Sequence, residues 1–226
     1  MASPLEGPAG SRDRSFIALH CHTSASFDSL ASQLAVVSAA ARRGLTHLAV
    51  TDHDRIDGAL RARDVAPDGL TVIVGEEVST LDGDLIAVFL EHVVPPGLTA
   101  VDTIAAIREQ GGLVGVPHPF DRSRRYGRRG GADLAEIADK VDWIEAYNAR
   151  VVDASANEQA AIFARAHSLP GVCASDSHTV LEVAVSYNVV QGDPSTPAGL
   201  LAALATLIAV ARRPGRTSFK SGPQRK

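Results

Sequence analysis

The chain has 226 residues, 45% of them hydrophobic and 21% charged, ordinary globular usage that excludes a fibrous or wholly disordered protein and fits one domain with a sizeable core. No apolar run reaches the roughly 18 residues of a membrane span, and residues 1–14 are too polar for a signal peptide, so a cytoplasmic protein with no membrane partner is expected. The formal charge is −4, but residues 212–226 hold six basic groups and no acidic one, leaving 16 basic against 26 acidic residues elsewhere. Such a body is a poor general surface for nucleic acid, whose affinity comes from neutralising phosphates, and a suitable one for gathering cations.

Residues 1–13 and 214–226, rich in Gly, Pro, Ser and charge, are expected to be flexible tails around a barrel domain spanning 14–213. The first strand, over 16–19, leads into His20 and His22, and a helix capped by Ser29 follows, with Leu30, Leu34, Val37 and Ala41 on one face and Gly44 as its stop. Short β-branched runs predict further strands over 47–51, 71–75, 85–90, 113–117, 141–147 and 171–175. Helical spacing follows Thr99, recurs over 154–166, and recurs again in the Ala- and Leu-rich stretch 198–211, expected along the outside of the barrel. Seven strands alternating with helices are the pattern of βα units around a parallel sheet. Cys21 and Cys173 have no CxxC spacing and read as buried packing residues. His47, His92 and His167 take the same ordinary reading as surface or core histidines.

Ligand-type residues collect where these strands end. His20 and His22, two apart on a strand, point to the same side, with Cys21 opposite. Asp52, His53 and Asp54 follow the second strand, Glu76 and Glu77 the third, His118 the fifth, and Asp176 with His178 the last. Packing disfavours residues that carry a desolvation cost, so five strands ending this way point to chemistry. In α/β barrels the C-terminal strand ends form the active-site mouth.

The strings HCHTSASFD at 20–28, TDHD at 51–54, GEEVST at 75–80, PHPFD at 117–121, NAR at 148–150 and SDSH at 175–178 resemble, in order, the motifs of the PHP superfamily, named for polymerase and histidinol phosphatase. The resemblance covers about residues 15 to 190. It implies a distorted seven-stranded α/β barrel, two or three divalent ions and phosphoester hydrolysis. It points to His20, His22, Asp28, His53, Glu77, His118, Asp176 and His178 as ligands, with Glu77, at the glycine-x-glutamate position, bridging. Glu77, Asp176 and His178 are the residues expected to carry catalysis. Many members have a further histidine ligand where this chain reads GDLIAVF, with Asp84 in its place. A carboxylate there hardens the site and favours manganese, iron or magnesium over an all-zinc cluster.

Ions about 3.5 to 4 Å apart can activate a bound hydroxide and clamp phosphate oxygens during in-line attack. No nucleophile elbow, phosphate-binding GxxxxGK[ST] loop or base-paired serine is present to support covalent catalysis. Arg122, Arg124 and Arg150, with Asn148, are candidates to bind substrate phosphate through paired hydrogen bonds. The expected activity is release of phosphate from a small metabolite or nucleotide. The alternatives are a nuclease or phosphodiesterase on short oligonucleotides, and a non-catalytic metal-binding accessory module.

Overall fold

The structure is a computed structural model and describes residues 14–123 and 134–211; both expected tails lie outside that range. Strands β1 (Arg14–Ala18), β2 (His47–Val50), β3 (Thr71–Ser79), β4 (Asp84–Val88), β5 (Leu113–Val116), β6 (Trp143–Asn148), β7 (Gly171–Ala174), β8 (Ser186–Gln191) and β9 (Ile208–Ala211) form one sheet in the order β7-β6-β5-β4-β3-β2-β1-β8-β9. Helices α1 (Gln33–Arg42), α2 (Asp57–Asp64), α3 (Ala100–Glu109), α4 (Ala154–Ala166) and α5 (Pro197–Leu204) complete the described residues. None is long and apolar enough to cross a membrane.

The sheet curls into a nearly closed, distorted α/β barrel. Beyond the ends of β1 and β7 the chain pairs again: Cys21 bridges Ser177, and His22 N donates to Ser177 O at 2.9 Å. Between β7 and β8 a side chain does the work of a strand. Asn188 accepts from Cys173 N and donates to Cys173 O, both at 2.8 Å.

The seven expected strands are all present, but the sheet is mixed rather than parallel. β3 and β4 are joined by the tight turn 80–83 and pair antiparallel, as do β4 and β5. β8 and β9 were not expected. β8 pairs antiparallel to β1, and β9 to β8. The helix expected over 198–211 stops at Leu204, where the Thr206 hydroxyl donates to Ala203 O at 2.7 Å; Ile208 and Val210, β-branched and two apart, then pair with Val189 and Tyr187. The first helix also starts later than expected. Ser29 spends its hydroxyl on His178 O at 2.8 Å, Ser32 caps Ala35 N instead, and Leu30 (97% exposed) and Leu34 (60%) lie off the buried face, which is Val36, Val37, Ala39 and Ala40.

Strand alternation separates two cores. Residues such as Leu48, Val50, Val72, Val74, Leu85 and Ala87 face outward against α1 to α4. The opposite set, Ile17, Ala49, Ile73, Ile86, Leu113, Trp143 and Val172, fills the barrel and packs on Leu200 and Leu204 of α5. Continuing those inward columns places Glu77 two positions beyond Gly75, Glu145 two beyond Trp143, and Asp84 two before Ile86. The apolar plug thus becomes the floor of a polar mouth.

Candidate metal centre

His20 and His22 lie past the end of β1, fully buried, with their Nε2 atoms 3.0 Å apart. Glu77 Oε2 is 3.1 Å from His20 Nε2 and 3.2 Å from His22 Nε2. Its other oxygen meets His118 Nε2 at 3.1 Å. Asp176 Oδ1 approaches the same two imidazoles at 3.5 and 3.4 Å. At the outer side, Asp28 Oδ2 lies 2.9 Å from His178 Nε2 and 3.3 Å from His53 Nε2. Every ligand candidate implied by the resemblance is therefore drawn to one place.

Three groups of donor atoms, each gathered within 4.8 Å, stand out among the described residues: His22, Asp28, His53 and His178; His20, His22 and Glu77; and Glu77, Asp84 and His118. Glu77 belongs to two of them. Asp84 reaches the third because β4 runs antiparallel to β3, which brings the start of β4 to the mouth where β3 ends and pairs Asp84 with Ser79.

Electrostatics show what the pocket wants. Burial alone would depress the imidazole pKa of His20, but Asp176, Glu145 and Glu77 outweigh it and hold it well above its usual range. His22 is raised to about 9 against the same burial by Asp176 and Glu77, and His118 is raised by Glu77. Burial would raise Glu77 and Asp176, yet the neighbouring histidines keep both well below the carboxylate range. Ionised acids buried this deeply demand positive charge, and imidazole nitrogens with carboxylate oxygens are the donor set that suits a divalent transition metal. The residues fit such a centre.

The orientation of this cluster depends on residues the sequence reading passed over. Glu145, in the interior of β6, takes His20 Nδ1 at 2.7 Å and accepts from His118 N at 3.0 Å. That leaves His20 Nε2 pointing inward, the arrangement by which carboxylates orient metal-binding histidines. Ser26 Oγ lies 3.1 Å from His22 Nδ1 and accepts from His53 N at 3.0 Å. A carboxylate amid the apolar residues of WIEAYN was the available signal for Glu145; Ser26 offered none beyond its nearness to His22. Backbone geometry is tuned as well. His118 and Asp176 hold φ of 27° and 49°, a left-handed region that costs about 1 to 3 kcal/mol for such residues and is tolerated where surroundings impose it.

The residues expected to bind phosphate are placed differently. Asn148 is buried, its amide donating to Glu145 at 2.8 Å and Asp176 at 3.2 Å, so it braces the cluster from behind. Arg150 lies beyond it and pairs with Glu182 at 3.3 Å, while Glu182 also accepts from His178 N and Thr179 N. Arg122 is exposed, and Arg124 falls outside the described residues. Asp52, at a strand end yet outside the ligand set, accepts from Thr23 N and Oγ1.

Fold and site together define an α/β barrel whose mouth gathers histidines and carboxylates able to hold metal ions. Residues 18–165 match the PHP domain and residues 154–206 the region described as PHP-associated, so the chain belongs to the PHP family. Two uncharacterized proteins of Methanocaldococcus jannaschii are 35% identical over 94 residues and 32% over 117, covering 41% and 51% of this chain. The matches span 55% and 49% of those relatives, about half their length. Among solved structures, a Bacteroides vulgatus two-domain protein containing a predicted PHP-like metal-dependent phosphoesterase superposes with a TM-score of 0.73 at 18% identity, over 88% of this chain and 65% of that one. An amidohydrolase from Chromobacterium violaceum with bound sulfate and no metal gives 0.58 at 16% identity, over 85% of this chain and 97% of that one. At such identities these likenesses show the fold.

Proposed function

We propose that the chain is a metal-dependent phosphoesterase that releases phosphate from a small phosphomonoester, a metabolite or a nucleotide. The observation that carries this reading is Glu77, a fully buried carboxylate whose two oxygens serve two adjoining donor groups at the barrel mouth. Two or three divalent ions would be held by His20, His22, Asp28, His53, Glu77, Asp84, His118, Asp176 and His178. Manganese, iron and zinc are the candidates, with magnesium as a fourth. Such ions supply Lewis acidity toward a phosphoryl group. Glu145 fixes His20, Asn148 braces Asp176, and Arg150, released from Glu182, would pair with substrate phosphate. Two buried free cysteines fit a reducing, cytoplasmic setting for the same reading.

The test is phosphate release by the manganese-loaded protein from nucleoside monophosphates, sugar phosphates and a single-stranded oligonucleotide. A monoester should show the highest kcat/KM. Efficient, strongly salt-dependent cleavage of the oligonucleotide would make the protein a nuclease, because counterion release along a bound strand produces that dependence. Glu77→Gln should lower turnover by about a hundredfold or more while circular dichroism and the unfolding transition stay close to those of the parent. Near-normal turnover would show that another carboxylate carries the site.

A further inference from the structure

We propose that Phe27 is the platform on which the substrate's leaving group stacks, and that this leaving group is a nucleoside whose base lies against the phenyl ring. This inference rests on the phosphoesterase reading and names its substrate class. The Phe27 ring stacks on the imidazole of His53, with centroids 5.1 Å apart and planes 26° apart. His53 belongs to the outer donor group with His22, Asp28 and His178. Phe27 is 87% exposed, so the face turned away from His53 is open at the edge of that group.

The loop holds the ring in this position. Ser24 N donates to Ala31 O at 2.7 Å, Arg55 Nη1 donates to Ala25 O at 3.0 Å, and Ser26 Oγ accepts from His53 N at 3.0 Å. On the other side of Phe27, the Ser29 hydroxyl is bonded to His178 O. The segment is thus tied down on both sides of Phe27, which keeps the ring facing outward. A phenyl ring held in water forfeits the gain of burial, and a flat ligand ring restores it. Leu30 and Leu181 are exposed on the two loops that the Ser29 bond joins, which favours an uncharged base over a second phosphate.

Distance selects a nucleoside over a simple aryl ester. Stacked rings lie about 4.5 to 7 Å apart, so a ring on the open face of Phe27 sits two such steps from His53. A phosphate held at the outer donor group lies beside His53. A ring joined to the ester oxygen through one carbon ends short of the open face, whereas a pentose between phosphate and base spans the gap. Purines, with the larger ring face, should be favoured over pyrimidines.

Adenosine 5'-monophosphate and methyl riboside 5-phosphate test this directly, because ester and sugar are the same and only the base differs. Wild-type protein loaded with manganese should favour the nucleotide in kcat/KM by about tenfold or more, the worth of one stacked base. The gain should fall mostly on KM, since the base is held alike in ground and transition states. Phe27→Ala should bring the two esters level by raising KM for the nucleotide, and Phe27→Trp should keep the preference. A readout without turnover accompanies it. The indole emission of Phe27→Trp should be quenched more by the nucleotide than by methyl riboside 5-phosphate, with the wild type, whose Trp143 is fully buried, as the control. Equal efficiency on the two esters, or a nucleotide preference that survives Phe27→Ala, would overturn the platform while leaving a phosphoesterase. Selective quenching by the nucleotide, with no phosphate released from either ester, would support the platform and refute the phosphoesterase reading. Neither quenching nor release would overturn both.

Discussion

Asp84 begins β4 within reach of Glu77 and His118, so its carboxylate joins a donor group at the place where the resemblance implied a histidine. Asp84→Ala should lose one metal per chain and most activity, measured by elemental analysis after manganese loading, whereas Asp84→His should keep partial activity and shift preference toward zinc. Full metal content and rate in Asp84→Ala would reduce the aspartate to a turn residue. Glu76, next to Glu77 in the chain, faces the other way. Burial raises its pKa from 4.5 to about 7, against a single backbone donor, Val94 N at 2.9 Å. A carboxyl raised on folding contributes stability that is fully present below its unfolded pKa and lost as pH rises through the folded one. The metal-free wild type should therefore lose up to about 3 kcal/mol between about pH 4.5 and pH 8 relative to Glu76→Gln. Parallel loss of urea stability in the two proteins would show that Glu76 ionises freely. At this scale the site was readable because histidines and acids at strand ends have no packing rationale. Glu145 escaped because it sits inside a strand rather than at its end.

The strands β1 to β7 announce themselves as short β-branched runs, and α3 and α4 by helical spacing; in the structure Thr99 and Asp153 cap those helices. Gly115 shows how closely these strands are fitted. A Cβ there would lie 2.1 Å from the Trp143 ring on the adjacent strand. Gly115→Ala should destabilise the protein by about 1 to 3 kcal/mol, seen as a lowered Tm with a changed tryptophan emission; an unchanged Tm would mean that the indole has room to move. What could not be read was the direction and the number of strands. The antiparallel β4 depends on the tight turn over 80–83, which joins two apolar runs without any helix. β8 has polar Ser186 and Asn188 at its buried positions, which hides its alternation, and α2 buries only Gly58, Ala59 and Ala62. β9 was masked by alanine, which scores as helix wherever tertiary pairing does not decide otherwise.

Closure of the whole barrel passes through one amide. Asn188→Ala would leave Cys173 N and O buried without partners, and each unmet group costs about 1 to 3 kcal/mol. The variant should unfold at clearly lower urea, and a midpoint equal to the wild type would show that β7 and β8 find other bonds. The same closure orders events in time. His22, Asp28 and His53 emerge early from the ribosome, but their group lacks His178 until nearly the whole barrel has been synthesised. Glu77, Asp84 and His118 form a complete set sixty residues sooner. A nascent chain therefore offers its inner group to a cation before its outer one, and ion capture at the outer group comes only after strand β7 has joined the end of β1.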